Sequence, residues 1–208
     1  IYAQSSDIKS RTYLEYRRDM KKKAIAELEV LEWLEEKVRK LYPKKQVHVY
    51  KSGGDNFLWF LRKGGVSREP DFIANIDEEN IKFEFQYAEK ADLKFFDFKV
   101  SKVAKKKKGE RKPIENKLFV YIHKPLLKYA IFKPEWITKN SEYGMVPAWR
   151  SYAFRVPKEK FEKLLKPDPN LKYLCHKIDA KNFILNFQHK LIDINKEKLS
   201  YLLQGVVD

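Results

Sequence analysis

Acidic and amide side chains lie at close spacing in the stretch "EPDFIANIDEENIKFEFQYAEK", residues 69–90. Asp71 precedes the first of two strand-like runs, and Glu84 and Gln86 alternate with aromatic residues in the second. Because side chains along a strand alternate between faces, Glu84 and Gln86 share one face. Carboxylate and amide oxygens are hard donors of the kind that Mg²⁺ prefers. The pattern therefore predicts either a divalent-cation site that faces a phosphate or solvated polar positions of an ordinary β-hairpin.

The segment between the two runs decides which of these residues meet. Residues 77–80, "DEEN", are polar and favour a turn, so the flanking runs predict an antiparallel hairpin. In such a hairpin Asp71 lies beside the stretch from Glu84 to Gln86, where two carboxylates can share one cation. A cation held there stabilises charge on a phosphate and lowers the pKa of a bound water. We expect Gln86 to position that water without adding a charge.

Pro70-Asp71 followed by Glu84-Phe85-Gln86 on an aromatic strand resembles the PD-(D/E)XK nuclease superfamily. More narrowly, it is similar to the E-x-Q variant found in some type II restriction endonucleases. The resemblance implies a Mg²⁺-dependent DNA endonuclease, a hydrolase in which Asp71 and Glu84 are metal ligands. Gln86 then stands at the catalytic position that is usually lysine.

The resemblance also implies a fold and further site residues. The family order is a helix with an optional acidic residue, a central mixed sheet, a flanking helix and a further strand, and residues 13–123 match this order. The first-helix carboxylate is then Glu27 or Glu35, and Asn56 is a counterpart of an upstream asparagine that can join the site. Cutting both strands of a palindrome suits a homodimer.

The elements expected from residue patterns form an α/β fold. Apolar residues at helical spacing predict an amphipathic helix over 13–41, with Glu27 and Glu35 at the edge of its apolar stripe, where Lys23 and Arg39 are alternative partners for them. The remaining segments share short apolar runs bounded by turn residues. We expect strands at 46–51, 56–62, 71–76, 81–88, 117–123, 128–132 and 151–156, and helices at 91–104, 157–165 and over much of the last forty residues. This order predicts a central mixed β-sheet flanked by helices, the core of restriction endonucleases, with a partly helical C-terminal extension.

Charge points to a polyanionic partner. The chain of 208 residues has 44 Lys and Arg against 29 Asp and Glu, a net charge of +15. Such a charge attracts nucleic acid, and the resemblance implies that the nucleic acid is double-stranded DNA. Two groups of basic residues are candidate nucleic-acid contacts. The first lies in the basic loop 105–112, which either contacts phosphates or is only a solvated loop. The second lies beside the aromatic residues Trp136, Trp149 and Tyr152, which either stack on bases or pack in the core. The first group is Lys105, Lys106, Lys107, Lys108 and Arg111, and the second is Arg150.

Length and composition limit the remaining classes. A chain with 43% hydrophobic residues folds, and we expect one nuclease domain over 1–208, with its core at about 13–123 and a C-terminal elaboration at 124–208. No apolar run approaches the ~20 residues of a spanning helix and no signal peptide is visible, so we expect a cytoplasmic protein without membrane contact. The single Cys175 excludes an internal disulfide framework.

Two alternatives remain beside a restriction enzyme. A repair or junction nuclease of the same superfamily would share the site and differ in the shape of its DNA substrate. A basic DNA- or RNA-binding module without enzymatic activity would keep the acidic positions for structure alone. The last alternative predicts nucleic-acid binding without metal-dependent cleavage.

Overall fold

The computed structural model describes residues 13–204 apart from 53–68, 92 and 108, and it describes side chains within 21–188 except that of Ala148. The strands are β1 Val47–Lys51, β2 Phe72–Ile76, β3 Glu79–Ala88, β4 Phe95–Lys99, β5 Ala104–Lys107, β6 Glu110–Pro113, β7 Lys117–His123, β8 Lys128–Phe132, β9 Glu142–Val146, β10 Ser151–Pro157 and β11 Lys166–Pro167. The helices are α1 Tyr13–Glu29, α2 Leu31–Leu41, α3 Val100–Val103, α4 Pro134–Asn140, α5 Lys158–Glu162 and α6 Asn170–Gln204.

A six-stranded mixed sheet in the order β1-β2-β3-β7-β8-β11 forms the centre of the fold. Its pairs are antiparallel except for β3 and β7, which run parallel. A parallel pair needs a long crossover connection. Here the crossover contains β4, α3 and the two-stranded hairpin β5-β6, and β4 joins β10 and β9 in a second sheet. The expected α/β class with a central mixed sheet is confirmed.

The predicted hairpin at the candidate site is confirmed. β2 and β3 pair antiparallel with Phe72 opposite Phe83 and Ile76 opposite Glu79, around a turn at Asp77 and Glu78. Asp77 has a positive φ of 53°, a conformation that aspartate tolerates better than most residues. Its carboxylate also accepts a hydrogen bond from the backbone N–H of Gln46 at 3.0 Å. This contact ties the turn to the start of β1.

Two apolar cores cover the two faces of the central sheet. Helices α1, α2 and α6 pack on one face, and the second sheet with α4 and α5 packs on the other. All seven residues of β7 are buried, because Leu118, Val120 and Ile122 enter the first core while Phe119 and Tyr121 enter the second. A strand covered on both faces has a continuous apolar run. This is the reason for the sequence "KLFVYIH" at the centre of the fold.

The predicted first helix divides into α1 and α2 at Val30, and α2 ends at Leu41, before Pro43. The hydrogen-bond ladder continues across the division, because Val30 N–H donates to the carbonyl of Ala26 at 2.9 Å. The helical spacing places Leu28 and Leu41 on the predicted apolar stripe, and the stripe is wrong at both, since they are 62% and 53% exposed. Ala26 and Glu27, next to Leu28 in the chain, are buried instead.

The predicted helix at 91–104 is wrong. Residues 95–99 form β4, and only Val100–Val103 form a helical turn. Phe96 and Phe98 alternate into the second core because β4 pairs antiparallel with β10. In this short segment the spacing of apolar residues fits both the 3.6-residue period of a helix and the two-residue period of a strand. Pairing with β10 stabilises the strand. The flanking helix that the resemblance implies is therefore reduced to α3.

Two further expectations need correction. The basic stretch at 105–112 is a β-hairpin rather than a loop, with Lys105 opposite Lys112. Residues 151–156 extend the second sheet rather than the central one, whereas residues 128–132 do join the central sheet as β8. The expected short helix after Pro157 and the helical C-terminal segment are present as α5 and α6. The predicted strand at 56–62 lies outside the described residues.

Residues beyond 123 are integral to the fold. They supply β8 and β11 of the central sheet, and Leu171 and Ile178 of α6 are fully buried in the first core. Asp168 anchors the start of α6, since it accepts hydrogen bonds from Asn170 N–H and Trp33 Nε1 at 2.9 Å each. Lys37 of α2 lies 2.5 Å from the same carboxylate. No helix in the described part of the chain is long and apolar enough to span a membrane.

The ring of Phe161 is central to the second core. It is fully buried and stacks on Phe96 with centroids 4.2 Å apart, and it meets Tyr121 edge-on at 4.8 Å. We predict that Phe161→Ala lowers the free energy of unfolding by about 3–5 kcal/mol, the usual cost of removing a buried phenylalanine ring. Urea denaturation measures this. Phe183→Ala, at a ring that is 71% exposed, is the control and should change stability by less than about 0.5 kcal/mol.

His123 makes stability depend on pH. It is 2% exposed at the end of β7, and burial lowers its pKa below the ordinary value of 6.5. The unfolded chain therefore binds the proton first as pH falls, so the stability contribution is present above pH 6.5 and is lost as the solution is acidified. We predict that His123→Phe loses less stability than wild type between pH 7.5 and 5, whereas His176→Gln, at an exposed site, behaves as wild type. Equal acid sensitivity of His123→Phe and wild type would contradict this.

Candidate functional site

Asp71 lies beside the strand that carries Glu84 and Gln86, as predicted. It directly precedes β2 and is 7% exposed. Its Oδ2 accepts a hydrogen bond from the backbone N–H of Phe85 at 2.8 Å, and its Oδ1 accepts one from Lys23 Nζ at 2.9 Å. The first bond fixes the carboxylate against β3 and the second neutralises it.

Glu84 is buried on the face of β3 that carries the second core. It stands in register with Phe119 of β7, a residue of that core, and is 6% exposed. Lys117 Nζ lies 2.8 Å from its Oε1 and Lys102 Nζ lies 2.8 Å from its Oε2. Both carboxylate oxygens are thus paired with lysines from β7 and α3.

Glu27 is the first-helix carboxylate that joins the site. It is 5% exposed, and its Oε1 lies 3.3 Å from Lys23 Nζ, the same ammonium that contacts Asp71. Lys51 Nζ of β1 lies 3.3 Å from its Oε2. Lys23 therefore bridges the carboxylates of Glu27 and Asp71.

Glu35 lies elsewhere. It accepts a hydrogen bond from Val49 N–H at 2.9 Å and pairs with Arg39 at 2.5 Å, the partner expected from the sequence. Its role is to connect α2 to β1. Of the two glutamates that the sequence left open, the structure brings only Glu27 to Asp71.

Burial and charge shift the pKa of several groups in this cluster. Burial raises the pKa of Glu27, and the negative charge of Asp71 raises it further, against Lys23 and Lys51. Burial opposes the charged form of Lys23, but Asp71 and Glu27 together raise its pKa above the ordinary value. Lys117 differs, because burial lowers its pKa despite its contact with Glu84. Lys117 thus holds its proton less tightly than a solvated lysine does.

Gln86 follows Glu84 on the same face of β3 and stands in register with Tyr121. It is half-buried, whereas Glu84 is buried. A neutral amide at this position can donate or accept a hydrogen bond without adding charge to a cluster that already contains buried carboxylates. The geometry therefore leaves Gln86 suited to orient a water or a substrate oxygen.

The carboxylates of Asp71 and Glu84 are the oxygen atoms that this site could offer to a metal ion. Among the residues that the structure describes, no three His, Cys, Asp or Glu side chains form a group that could hold one. Asp71 and Glu84 are two oxygen donors on paired strands, and a Mg²⁺ site usually takes one or two protein carboxylates. Lys23 and Lys102 are 30% and 33% exposed, so these long side chains can turn toward solvent and release the carboxylates. With these two lysines turned away, Asp71 and the Oε2 of Glu84 would be the donors open to a hard cation, while Lys117 stays at the Oε1 of Glu84.

Three lysines of the cluster escaped the sequence analysis, namely Lys51, Lys102 and Lys117. The sequence does contain one indication of the role of Lys117, because this lysine directly precedes the apolar run in "KLFVYIH". A lysine at the head of a strand that is covered on both faces needs a counter-charge. Its contact with Glu84 supplies that counter-charge and depends on the parallel pairing of β3 and β7.

The predicted nucleic-acid contacts lie on the β5-β6 hairpin and near β10. Lys105, Lys106 and Lys107 are exposed on β5, and the Arg111 guanidinium lies 4.3 Å from the ring centroid of Tyr143. Arg150 is exposed just before β10. Trp149 and Tyr152 are also exposed, whereas Trp136 packs on Phe132 and Phe161 in the second core. Asn56 and Lys108 lie outside the described residues.

Comparison with known proteins finds no matching family model, no matching curated protein and no matching solved structure. The resemblance to the PD-(D/E)XK superfamily therefore rests on Asp71, Glu84 and Gln86 and on the order of the elements around them.

The pair formed by Glu84 and Lys117 generates a test of the cluster. Both side chains are less than 10% exposed, so Glu84→Gln leaves the Lys117 charge buried without its partner. We predict that Glu84→Gln lowers the free energy of unfolding by ~3 kcal/mol, and that Glu84→Gln combined with Lys117→Met regains most of this loss. Lys102→Met alone, at a partly exposed lysine, should cost less than about 1 kcal/mol. Additive effects of Glu84→Gln and Lys117→Met in urea denaturation would contradict the pairing.

Proposed function

We propose that this protein is a Mg²⁺-dependent endonuclease that hydrolyses phosphodiester bonds in DNA. One observation carries the proposal: three carboxylates are buried on neighbouring elements, each held by lysines. Lys23 bridges Glu27 and Asp71, Lys102 and Lys117 hold Glu84, and Asp71 accepts a hydrogen bond from the backbone N–H of Phe85, the residue after Glu84. The chain around them has a net charge of +15, which attracts the phosphate backbone of nucleic acid.

The cost of this network supports a functional role. Burying charged groups requires their desolvation, and apolar residues of similar volume often give equal or greater stability. Glu27, Asp71 and Glu84 nevertheless occupy positions next to the two apolar cores, where apolar side chains would fit. Perturbed pKa values cluster at functional sites, and Glu27, Lys23 and Lys117 all have shifted pKa values.

Each residue of the site has a role in this reaction. Asp71 and Glu84 would hold Mg²⁺, and the chemistry the ion would supply is polarisation of a phosphate oxygen and a lowered pKa of water. Lys23 and Lys102, released from the carboxylates, contact the phosphates of the DNA strand. Lys117 remains buried beside Glu84 and supplies the positive charge that Gln86 lacks. Gln86 orients the attacking water.

The finer assignment follows the resemblance. We propose a type II restriction enzyme that binds double-stranded DNA as a homodimer, because two-fold symmetry matches the two strands of a palindrome. A repair or junction nuclease would use the same residues on DNA of another shape. Cleavage of intact duplex plasmid into discrete fragments separates the restriction enzyme from these alternatives.

One observation favours a second candidate, a nucleic-acid-binding protein without enzymatic activity. Glu27, Asp71 and Glu84 each contact at least one lysine, as expected of a network that only stabilises the fold. Such a protein binds DNA through its exposed lysines and is indifferent to divalent cations. The two candidates therefore differ in the response to Mg²⁺.

The test is cleavage of plasmid and phage DNA with Mg²⁺ by wild type, Glu84→Gln, Asp71→Asn and Lys117→Met. We expect Lys117→Met to lower the cleavage rate by roughly 10–100-fold, the usual effect of removing a residue that contacts a metal ligand. Glu84→Gln and Asp71→Asn, which change the proposed ligands themselves, should lower the cleavage rate further. Glu79→Gln changes an exposed glutamate on the same strand and should cut as wild type does. Gel electrophoresis of the products measures these rates.

Each preparation is also tested for DNA binding by gel shift and for folding by circular dichroism. Folded wild type that shifts DNA but leaves it uncut with Mg²⁺ or Mn²⁺ would overturn the endonuclease and favour the binding protein. Equal cleavage by Glu84→Gln and wild type would place the active site elsewhere.

A further inference from the structure

The β5-β6 hairpin arises at the candidate site. Lys102 stands two residues before the first strand of the hairpin and Lys117 begins the strand that follows it, and both lysines contact Glu84. The base of the hairpin is closed by Ala104 paired with Pro113 and by a 3.0 Å hydrogen bond from Ile114 N–H to the carbonyl of Val103. The two ends of the hairpin are therefore joined, through short segments of chain, to two residues that contact Glu84.

The hairpin is strongly basic and exposed. Lys105, Lys106 and Lys107 on β5 and Arg111 and Lys112 on β6 are exposed, against the single acidic residue Glu110. At ~3.3 Å per residue, each four-residue strand extends by roughly 13 Å. At the ~3.4 Å that separates successive phosphates along one strand of a helix, this length matches roughly four phosphates, so the hairpin can follow a phosphate backbone.

Exposed aromatic rings lie against this hairpin. Tyr143 and Tyr152 are 44% and 52% exposed, and their rings stack with centroids 5.1 Å apart and an interplanar angle of 13°. The Arg111 guanidinium covers Tyr143 at 4.3 Å. Lys106, Gly109, Arg111, Thr138, Tyr143 and Phe154 line a shallow cleft of about 480 Å³ between the hairpin and the second sheet.

The strand register explains why these rings are exposed. Tyr143 stands opposite Phe154, and Met145 stands opposite Tyr152, so these four side chains share one face of the second sheet. Phe154 and Val156 of this face are buried in the second core, whereas Met145 and Tyr152 are 45% and 52% exposed. The apolar face thus continues past the edge of the core and ends beside the basic hairpin.

We propose that Tyr143 and Tyr152, together with Lys106 and Arg111 on the same face of the hairpin, form a binding surface for a nucleic-acid strand with unpaired bases. Lys106 and Arg111 contact the phosphates, and a base stacks on the tyrosine pair. Aromatic rings bind bases through their faces, and base stacking is worth roughly tenfold or more in affinity for each base. In the chain, the hairpin that carries Lys106 and Arg111 lies between Lys102 and Lys117, the two lysines that contact Glu84.

Charge and shape select this partner over others. An intact duplex presents phosphates but keeps its base faces stacked inside, so it engages Lys106 and Arg111 without using the tyrosines. An acidic protein segment supplies negative charge but no array of flat rings at the spacing of phosphates. The surface goes beyond the proposed cleavage reaction and does not depend on it.

The test uses the full chain in EDTA, with fluorescence anisotropy of two labelled probes of equal phosphate number. One probe is oligothymidylate of 12 nucleotides, and the other is the same backbone with abasic sites. We expect wild type to bind oligothymidylate roughly tenfold or more tightly than the abasic strand. Tyr143→Ala combined with Tyr152→Ala should abolish this preference, so that oligothymidylate binds no more tightly than the abasic strand.

Matched variants complete the design. Tyr152→Phe keeps the ring and should retain the preference, and Tyr173→Ala, at a tyrosine of α6 that is 73% exposed, should behave as wild type. Lys106→Ala should weaken binding of both probes alike and reduce the salt dependence. Circular dichroism verifies that each variant is folded.

Three results would overturn the proposal. They are equal affinity of wild type for the two probes, an unchanged preference in the double tyrosine variant, and tighter binding of a 12-base-pair duplex that requires the tyrosines. Because EDTA prevents cleavage and Glu84 is intact in every variant, these results leave the proposed endonuclease untouched. Conversely, failure of plasmid cleavage does not alter the comparison of the two probes.

Discussion

Residues Lys82 to Ala88 of β3 pair in parallel with Lys117 to His123 of β7, and this pairing joins the halves of the central sheet. It places Lys117 against Glu84 and gives β7 two covered faces. The crossover that a parallel pair requires contains β4, α3 and the basic hairpin. The second sheet, the second core and the hairpin therefore all depend on this one pairing.

The candidate site lies where this pairing meets the β2-β3 hairpin. Its carboxylates are held by strand backbone and by a helix, because Asp71 accepts from Phe85 N–H and Glu27 projects from α1. Groups held on paired strands lose little freedom on binding a ligand, which favours recognition of a cation or a phosphate. The lysines keep the carboxylates neutralised, so the same network serves the stability of the fold.

One face of the second sheet has an inner part that packs in the core and an outer part that is exposed. Its inner part, with Phe96, Phe98 and Phe154, covers the central sheet, and its outer part presents Tyr143 and Tyr152 beside the hairpin. A single alternating pattern on β10 produces both, since Val156, Phe154 and Tyr152 share a face and only the outermost lies beyond the core. The proposed binding surface is thus continuous with the packing that supports Glu84.

The sequence by itself determined the β2-β3 hairpin and the meeting of Asp71 with the Glu84 strand, because a polar turn and period-two alternation act over a short stretch of chain. It did not determine that Glu27 rather than Glu35 joins the site, or that Lys117 pairs with Glu84. The helix predicted at 91–104 was also wrong, because the apolar spacing there fits a helix and a strand alike. Tertiary structure decided these points, since each depends on contacts between segments far apart in the chain, whose energies no local pattern contains.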